Sequence, residues 1–368
     1  MKKIIVMICM MLLILPVTSG SVVKICSAIV TNDLPASFSW RDINGTDYTT
    51  PIRDQSPAPT CEAFGLCAAL ETEMQYKLKE QYLPDLSENH LYFNAGGTIE
   101  KGWVNLNDAA NYLMQYGVPD EGCFPDPHRA FDYPYYSLPG WENRTVKISE
   151  WGWIDHNNIT TMKHALIDHG PLIICIHFWA DFFLTPGRIY KHHNGRIVGG
   201  HVVTIVGYDD NENCWIVKNS WGTKWGQKGW FKMAYDADMI SEWYENSTGV
   251  MYIDGVYGNL KPDVPKVHFE TPVYYHTYIV GLGFPTIFKK LPLQKAAARI
   301  VGKLTVSVQT ENTERVEFYL DNTSQYVDTN APFTWDLQAT PGFHTLEAKA
   351  MSANGNQSID VEDIYVIL

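Results

Sequence analysis

Cys61, His201, Asn219 and Gln55 are residue types that could jointly perform nucleophilic chemistry on a carbonyl. A thiolate attacks the carbon, an imidazole moves the proton, and a side-chain amide holds the imidazole in one tautomer. The chemistry needs the thiol where its negative form is favoured. Cys61 opens a run, Ala63 to Lys79, in which Phe64, Cys67, Ala68, Leu70, Met74 and Leu78 follow helical spacing. A thiol at a helix N-terminus feels the positive end of the helix dipole. On its own, Cys61 reads more readily as a buried structural cysteine at the head of a core helix. His201 follows Gly199-Gly200 at the head of the apolar run Val202 to Tyr208, where a side chain can reach a cleft. Asn219 lies in Cys214-Trp215-Ile216-Val217-Lys218-Asn219-Ser220-Trp221-Gly222. As structure that stretch is an aromatic-packed turn. As chemistry, the Asn219 carbonyl can orient an imidazole while Trp221 keeps water off the contact.

The elements that must position these groups differ between the two halves of this region. The first half reads as helices: the Cys61 run, a second helix with Ser87 as N-cap, a third over Asn107 to Tyr116 closed by Gly117, and a short one over Thr160 to His169. The second half reads as strands at Leu172–Phe178, Val202–Tyr208, Cys214–Lys218 and Gly229–Ala234. Helices followed by strands describe an α+β domain of two lobes, with a cleft between them as the natural site.

A chain of 368 residues allows two or three domains. The formal charge of −13, from 28 basic and 41 acidic residues, argues against a nucleic-acid partner. Lys2-Lys3, the apolar run Ile4 to Val17 and the small residues Thr18-Ser19-Gly20-Ser21 read as a secretory signal over residues 1–20. The run is too short to span a bilayer comfortably, so the mature chain is expected outside the cytoplasm without a membrane span. Seven cysteines include no C-x-x-C pair, which leaves a zinc or redox site without support. His192-His193 face opposite ways if extended and read as loop, not as a metal pair. Six Asn-x-Ser/Thr sequons, at Asn44, Asn143, Asn158, Asn246, Asn322 and Asn356, fit a secreted surface protein if the host glycosylates, or chance.

Taken jointly, three stretches carry a resemblance. Gln55 with Cys61, Gly200-His201, and Lys218-Asn219-Ser220-Trp221-Gly222 resemble the papain family of cysteine peptidases over about residues 34–257. L-P-A-S-F-S-W-R at 34–41, L-S-E-N at 86–89 and G-V-P-D-E-G-C-F-P at 117–125 support it, as does the 140-residue step from Cys61 to His201. The resemblance implies a helical lobe packed on a β-barrel-like lobe, protein or peptide substrates and no cofactor. It implies Cys61 as nucleophile, held as thiolate by the dipole and by His201 as imidazolium, and His201 as general acid and base. Asn219 would orient His201 with Trp221 shielding the contact, and Gln55 with the Cys61 backbone N–H would form the oxyanion hole. Gly102 and Gly200 are the candidates for substrate binding.

The chain departs from that pattern around the nucleophile. Pro57, Ala58 and Pro59 stand in a loop that is usually glycine-rich, and Ala58 removes a familiar disulfide partner. Glu62 replaces a tryptophan; adjacent helix residues diverge by about 100°, so only weak opposition to the Cys61 thiolate is expected. Only about a dozen residues separate the expected cleavage point from residue 34, so either no zymogen control is needed or a partner or the chain's own tail supplies it. Residues 258–300, with five prolines, read as a connector. Residues 301–368 alternate in short strands that resemble bacterial and archaeal immunoglobulin-like modules, a small β-sandwich for cell-surface or polymer attachment. Two other readings stay open: an inactive papain-fold binding or adhesion protein, and acyl transfer to an amine through the same thioester.

Overall fold

The computed structural model describes residues 34–56, 58–78, 83–98, 100–125, 137–184, 187–237, 249–259, 264–285 and 297–367. The expected signal segment, Cys26, Pro57 and the Asn246 sequon lie outside the described residues.

Helix α1, Cys61–Leu78, is the spine of the first domain. It has no polar stripe because it is covered on several sides: Ala63, Leu66, Cys67, Ala69, Leu70 and Met74 are all buried. Gly65 lets it lie flat on the sheet, since a Cβ there would meet Val202 Cγ1 at 2.8 Å. Helix α2, Glu88–Asn94, begins where Ser87 accepts the His90 N–H, as its sequence predicts. Helix α3, Leu106–Gln115, is capped by Asn105. Gly117 ends it at φ +81°, a conformation that favours glycine, its N–H reaching back to the Tyr112 carbonyl. Helix α4, Ile159–Asp168, starts at the Asn158 cap, so that sequon carries a structural hydrogen bond to Thr161.

The strands form an eight-stranded sheet in the order Glu150–Asp155, Gly249–Asp254, Leu172–Trp179, Ile197–Asp209, Cys214–Lys218, Trp230–Ala234, Ile189–Tyr190, with Ser37–Ser39 added beside Ile197–Asp209. Its Leu172–Ile176 stretch is apolar because both of its faces are covered. Ile173 and Cys175 pack towards α1–α3, while Leu172, Ile174 and Ile176 pack with α4, Trp40 and Trp215. Two cores on opposite faces give the two lobes. A buried polar link ties them: Glu71 of α1 accepts from Thr50 Oγ1 and Leu86 N, and Lys218 Nζ donates to the same Thr50 hydroxyl. His192 stacks on Trp179 and, like His193, bonds to Asp181, which organises a loop as the sequence suggests.

The C-terminal region is a β-sandwich with a three-stranded and a seven-stranded sheet. It begins earlier than its sequence suggests. Residues 258–300, expected to connect, contribute the strands Lys266–Thr271, His276–Ile279, Leu282–Pro285 and Ala298–Val301. Three of the five prolines that suggested a linker sit at strand ends: Pro265 precedes the first strand, Pro272 follows it, and Pro285 ends an edge strand, where a missing N–H costs little; Pro262 and Pro292 lie outside the described residues. Thr323–Asp328 is a further strand with no apolar alternation, because it is an exposed edge. Asp321 and Asn322, both at positive φ, make the tight turn into it. Among the described residues no helix is long and apolar enough to cross a membrane.

The sandwich is docked on the helical lobe. Strand Gln357–Val366 brings Val361 against buried Phe124, and Arg144 bridges the join. Arg144 Nη2 pairs with Asp120 at 2.5 Å and its Nη1 donates to the Gln357 carbonyl, both partners of the ion pair being under 10% exposed. Removing one member strands a buried charge, so Arg144→Ala is expected to cost about 3–5 kcal/mol, measured as a fall in the urea midpoint of unfolding.

Candidate active site

Docking of α1 on strand Ile197–Asp209 brings Cys61 to the Val202 backbone, next in the chain to His201. Thr204 Oγ1 donates to the Gly65 carbonyl at 3.0 Å and pins the register. His201 lies within the strand, opposite Ile176, and not at its head as its sequence suggests. Gly199 and Gly200 continue the ladder against Phe178 and His177, so the strand starts at Ile197. Cys61, His201, Gln55, Trp221, Gly102 and Gly200 all line one cavity of about 890 Å³ between the lobes.

The imidazole is fixed by a chain of hydrogen bonds. His201 Nε2 is 2.7 Å from Asn219 Oδ1, which also accepts the Ser220 backbone N–H at 2.8 Å. That second donor identifies the atom as the oxygen, so His201 Nε2 carries the proton and Nδ1 is the basic nitrogen. Ser220 Oγ then donates to Gln55 Oε1 at 2.7 Å, and Gln55 Nε2 donates to the Ala58 carbonyl at 3.1 Å. The backbone joins the same two segments, Gln55 N to Ser220 O at 2.9 Å. Ser220 thus couples the residue that orients the histidine to the residue expected in the oxyanion hole. Sequence reasoning missed this, although Ser220 sits between Asn219 and Trp221.

Trp221 stacks on His201 with ring centroids 4.6 Å apart. Phe183 stacks on Trp221 at 5.5 Å, and Phe178, Phe182 and Trp225 meet Trp221 edge-on. Phe178 also meets His201 edge-on. These phenylalanines come from strand Leu172–Trp179 and the turn Ala180–Leu184, which only tertiary pairing places here. The aromatic wall leaves His201 3% exposed and Asn219 equally buried. Burial pulls the His201 pKa down to about 4, with the Asn219 bond opposing the shift.

Glu62 corrects an expectation. Its Oε2 lies 3.6 Å from Cys61 Sγ, so its carboxylate faces the thiol it was expected to turn away from. The Cα–Cβ bonds diverge, but the longer glutamate side chain folds back into the cavity, which it also lines. Desolvation, and next the Glu62 charge, push the Cys61 thiol well above its ordinary value, opposed by a hydrogen bond from the Val202 backbone. Both shifts run against the thiolate–imidazolium pair that the resemblance implies. None of the five described cysteines, Cys61, Cys67, Cys123, Cys175 and Cys214, is in a disulfide. Among the described residues no cluster of His, Cys, Asp and Glu could hold a metal.

The fold and site define a two-lobed protein with a cysteine, a histidine and an asparagine on an interlobe cleft. The family model for papain family cysteine proteases matches residues 34–251, and the chain belongs to that family. A bacterial Ig domain model matches residues 292–348. Among curated proteins, cysteine proteinase 2 of Entamoeba histolytica is 32% identical over 235 residues, covering 60% of this chain and 70% of the relative. Cathepsin B-like cysteine proteinase 6 of Caenorhabditis elegans is 28% identical over 243 residues, 56% of this chain and 64% of the relative. The bromelain protease from Ananas comosus, solved in complex with the E64 inhibitor, is 27% identical over 60% of this chain and 99% of that one, with a TM-score of 0.49.

Proposed function

We propose that this chain is a secreted cysteine endopeptidase that hydrolyses peptide bonds through an acyl-thioester on Cys61. The observation that supports it best is the 2.7 Å bond from His201 to Asn219 beneath Trp221, on a cavity that Cys61 and Gln55 also line. Cys61 Sγ attacks the carbonyl carbon as its proton passes to His201 Nδ1. The resulting oxyanion meets the Gln55 side-chain amide and the Cys61 backbone N–H. His201 gives the proton to the leaving amine, the C–N bond breaks, and the acyl group stays on sulfur. His201 then takes a proton from water, whose oxygen attacks the thioester, and Cys61 leaves with that proton. Gly102 and Trp103 on one side, and Trp221 and Phe178 on the other, give the substrate chain surfaces on both sides of the scissile bond. The C-terminal sandwich would serve attachment to a cell surface or polymer.

The reading is tested by intact mass after treatment of reduced protein with an epoxide directed at thiol proteases. One adduct mapping to Cys61 is expected, and its absence from folded protein would sink the proposal. A non-catalytic papain-fold binding protein is the second reading, favoured by the Glu62 carboxylate against the thiol. Labelling without turnover of any peptide in a broad library would favour it.

Two pH effects follow from these shifts. Activity should rise as pH increases through about 4, where His201 loses its proton, and stay level until the thiol ionises on its own. Trp221→Ala admits water to the imidazolium and raises the His201 pKa towards its ordinary value of about 6.5. The acid limb of kcat/KM is expected to move up by one to two pH units on the order of that restored solvation, and an unmoved limb would contradict the shielding role.

A further inference from the structure

The end of the sandwich away from its joint with the helical lobe presents apolar side chains to solvent. Strands His276–Ile279 and Leu282–Pro285 are joined by the two-residue turn Val280-Gly281, with Ile279 opposite Leu282. Ile279 is 48% exposed, Val280 71% and Leu282 66%. Ile367, also exposed, lies at the same end: its N–H donates to the Ile300 carbonyl, and the next carbonyl, of Val301, accepts the Val280 N–H. Both turn residues have positive φ, +48° at Val280 and +80° at Gly281. Asparagine or aspartate before glycine makes such a turn without strain, whereas a β-branched side chain resists it. The chain thus keeps an isopropyl group on an exposed turn against its backbone preference. The joint uses Gln357 and Val361, and strand Gln357–Val366 leads from it to this corner, about 30 Å at roughly 3.3 Å per residue.

We propose that this corner docks on a lipid surface with anionic headgroups, the turn entering the boundary between headgroups and acyl chains. The inference rests on the attachment reading of the sandwich and names its partner; it does not depend on the chemistry of Cys61. Shape favours a bilayer. Four aliphatic side chains on a convex corner cannot supply the roughly 800 Å² per partner of a stable protein interface, whereas lipid surrounds them. Charge favours an anionic one. Between Glu270 and Glu311 the sequence holds Lys289, Lys290, Lys295, Arg299 and Lys303 and no carboxylate, in a chain whose net charge is −13. Lys303 is exposed beside the turn, its carbonyl 4.0 Å from where a Cβ on Gly281 would stand. A basic residue next to an apolar tip gains from the negative potential of such a surface, which repels the acidic remainder of the chain. The sandwich then holds the peptidase domain off the membrane.

The test uses the mature chain, without residues 1–20, so that the apolar run Ile4 to Val17 cannot itself bind lipid. Flotation with phosphatidylcholine vesicles, with and without about a third phosphatidylglycerol, gives the partition constants. Wild type is expected to float with the mixed vesicles, and the double variant Val280→Asp, Leu282→Asp to partition at least about 30-fold less. Lys303→Gln should lower partition about fivefold on mixed vesicles and leave it unchanged on neutral ones. Val280→Asn guards against misfolding. Asparagine tolerates the positive φ, so the urea midpoint should hold or rise while partition falls at least about fivefold. Wild type that stays off the vesicles, or turn variants that bind as well as wild type, would overturn this inference. If wild type that ignores vesicles still pellets with insoluble polysaccharide or cell walls, the attachment reading survives; binding to neither overturns both. Sedimentation equilibrium without lipid closes the test, since a dimer that Val280→Asp dissolves would make a second copy the occupant in place of lipid.

Discussion

Cys61→Ala is expected to lower kcat/KM for peptide hydrolysis by at least about 10⁴-fold while leaving the unfolding midpoint near that of wild type. The size follows from the role proposed for Cys61: in that mechanism it alone carries the acyl chain, and His201 activates water only against the thioester so formed. Cys175 also lines the cavity, but its thiol belongs to the sheet and is buried against α1. Stability should barely change because Cys61 is the first residue of α1 and partly open to the cavity, so truncation removes little packing. Initial rates on a peptide library, with thermal unfolding of the same samples, check both parts. Residual hydrolysis within tenfold of wild type would show that the chemistry lies in some other group.

How much of this was legible before the structure depends on whether a residue acts through its type and position or through its reach. Cys61 at a helix start, Asn219 after a strand and the caps Ser87 and Gly117 are local facts, and local facts survive folding. The cleft between two lobes follows from helices preceding strands, and the family match over residues 34–251 agrees. The connector was misread because its five prolines were read as linker composition, whereas Pro265, Pro272 and Pro285 mark strand ends. Glu62 was misread because adjacent helical positions diverge at Cβ, and no periodicity records how a three-bond side chain folds back. Phe178 and Phe183 carried no signal at all: one lies near the end of a strand and the other in the turn Ala180–Leu184 after it, and only tertiary folding brings them to Trp221. Ser220 had a signal that went unused, since a hydroxyl beside the orienting asparagine is well placed to bond across the cleft.

That hydroxyl gives the second large effect. Gln55→Ala is expected to reduce kcat by about 10²–10³-fold, the cost of one oxyanion-hole donor, with KM little changed because the developing charge exists only in the transition state. Gln55 Oε1 accepts from Ser220 Oγ and its Nε2 spends one hydrogen on the Ala58 carbonyl, which leaves the second hydrogen of the amide for an oxyanion. The orientation is therefore set from both ends, and Ser220→Ala should release it. Freed to rotate, the Gln55 amide would point its oxygen at the cavity part of the time, so Ser220→Ala is expected to lower kcat by a smaller factor, about 3–10-fold on the scale of one lost neutral hydrogen bond. The double variant discriminates: if Ser220 acts only by holding Gln55, adding Ser220→Ala to Gln55→Ala costs nothing more in kcat. An additive loss would mean that Ser220 works instead through its backbone N–H neighbour Asn219, by shifting the carbonyl that orients His201. Single-turnover acylation rates for the four proteins separate these outcomes, because the oxyanion that Gln55 is expected to meet first forms in acylation.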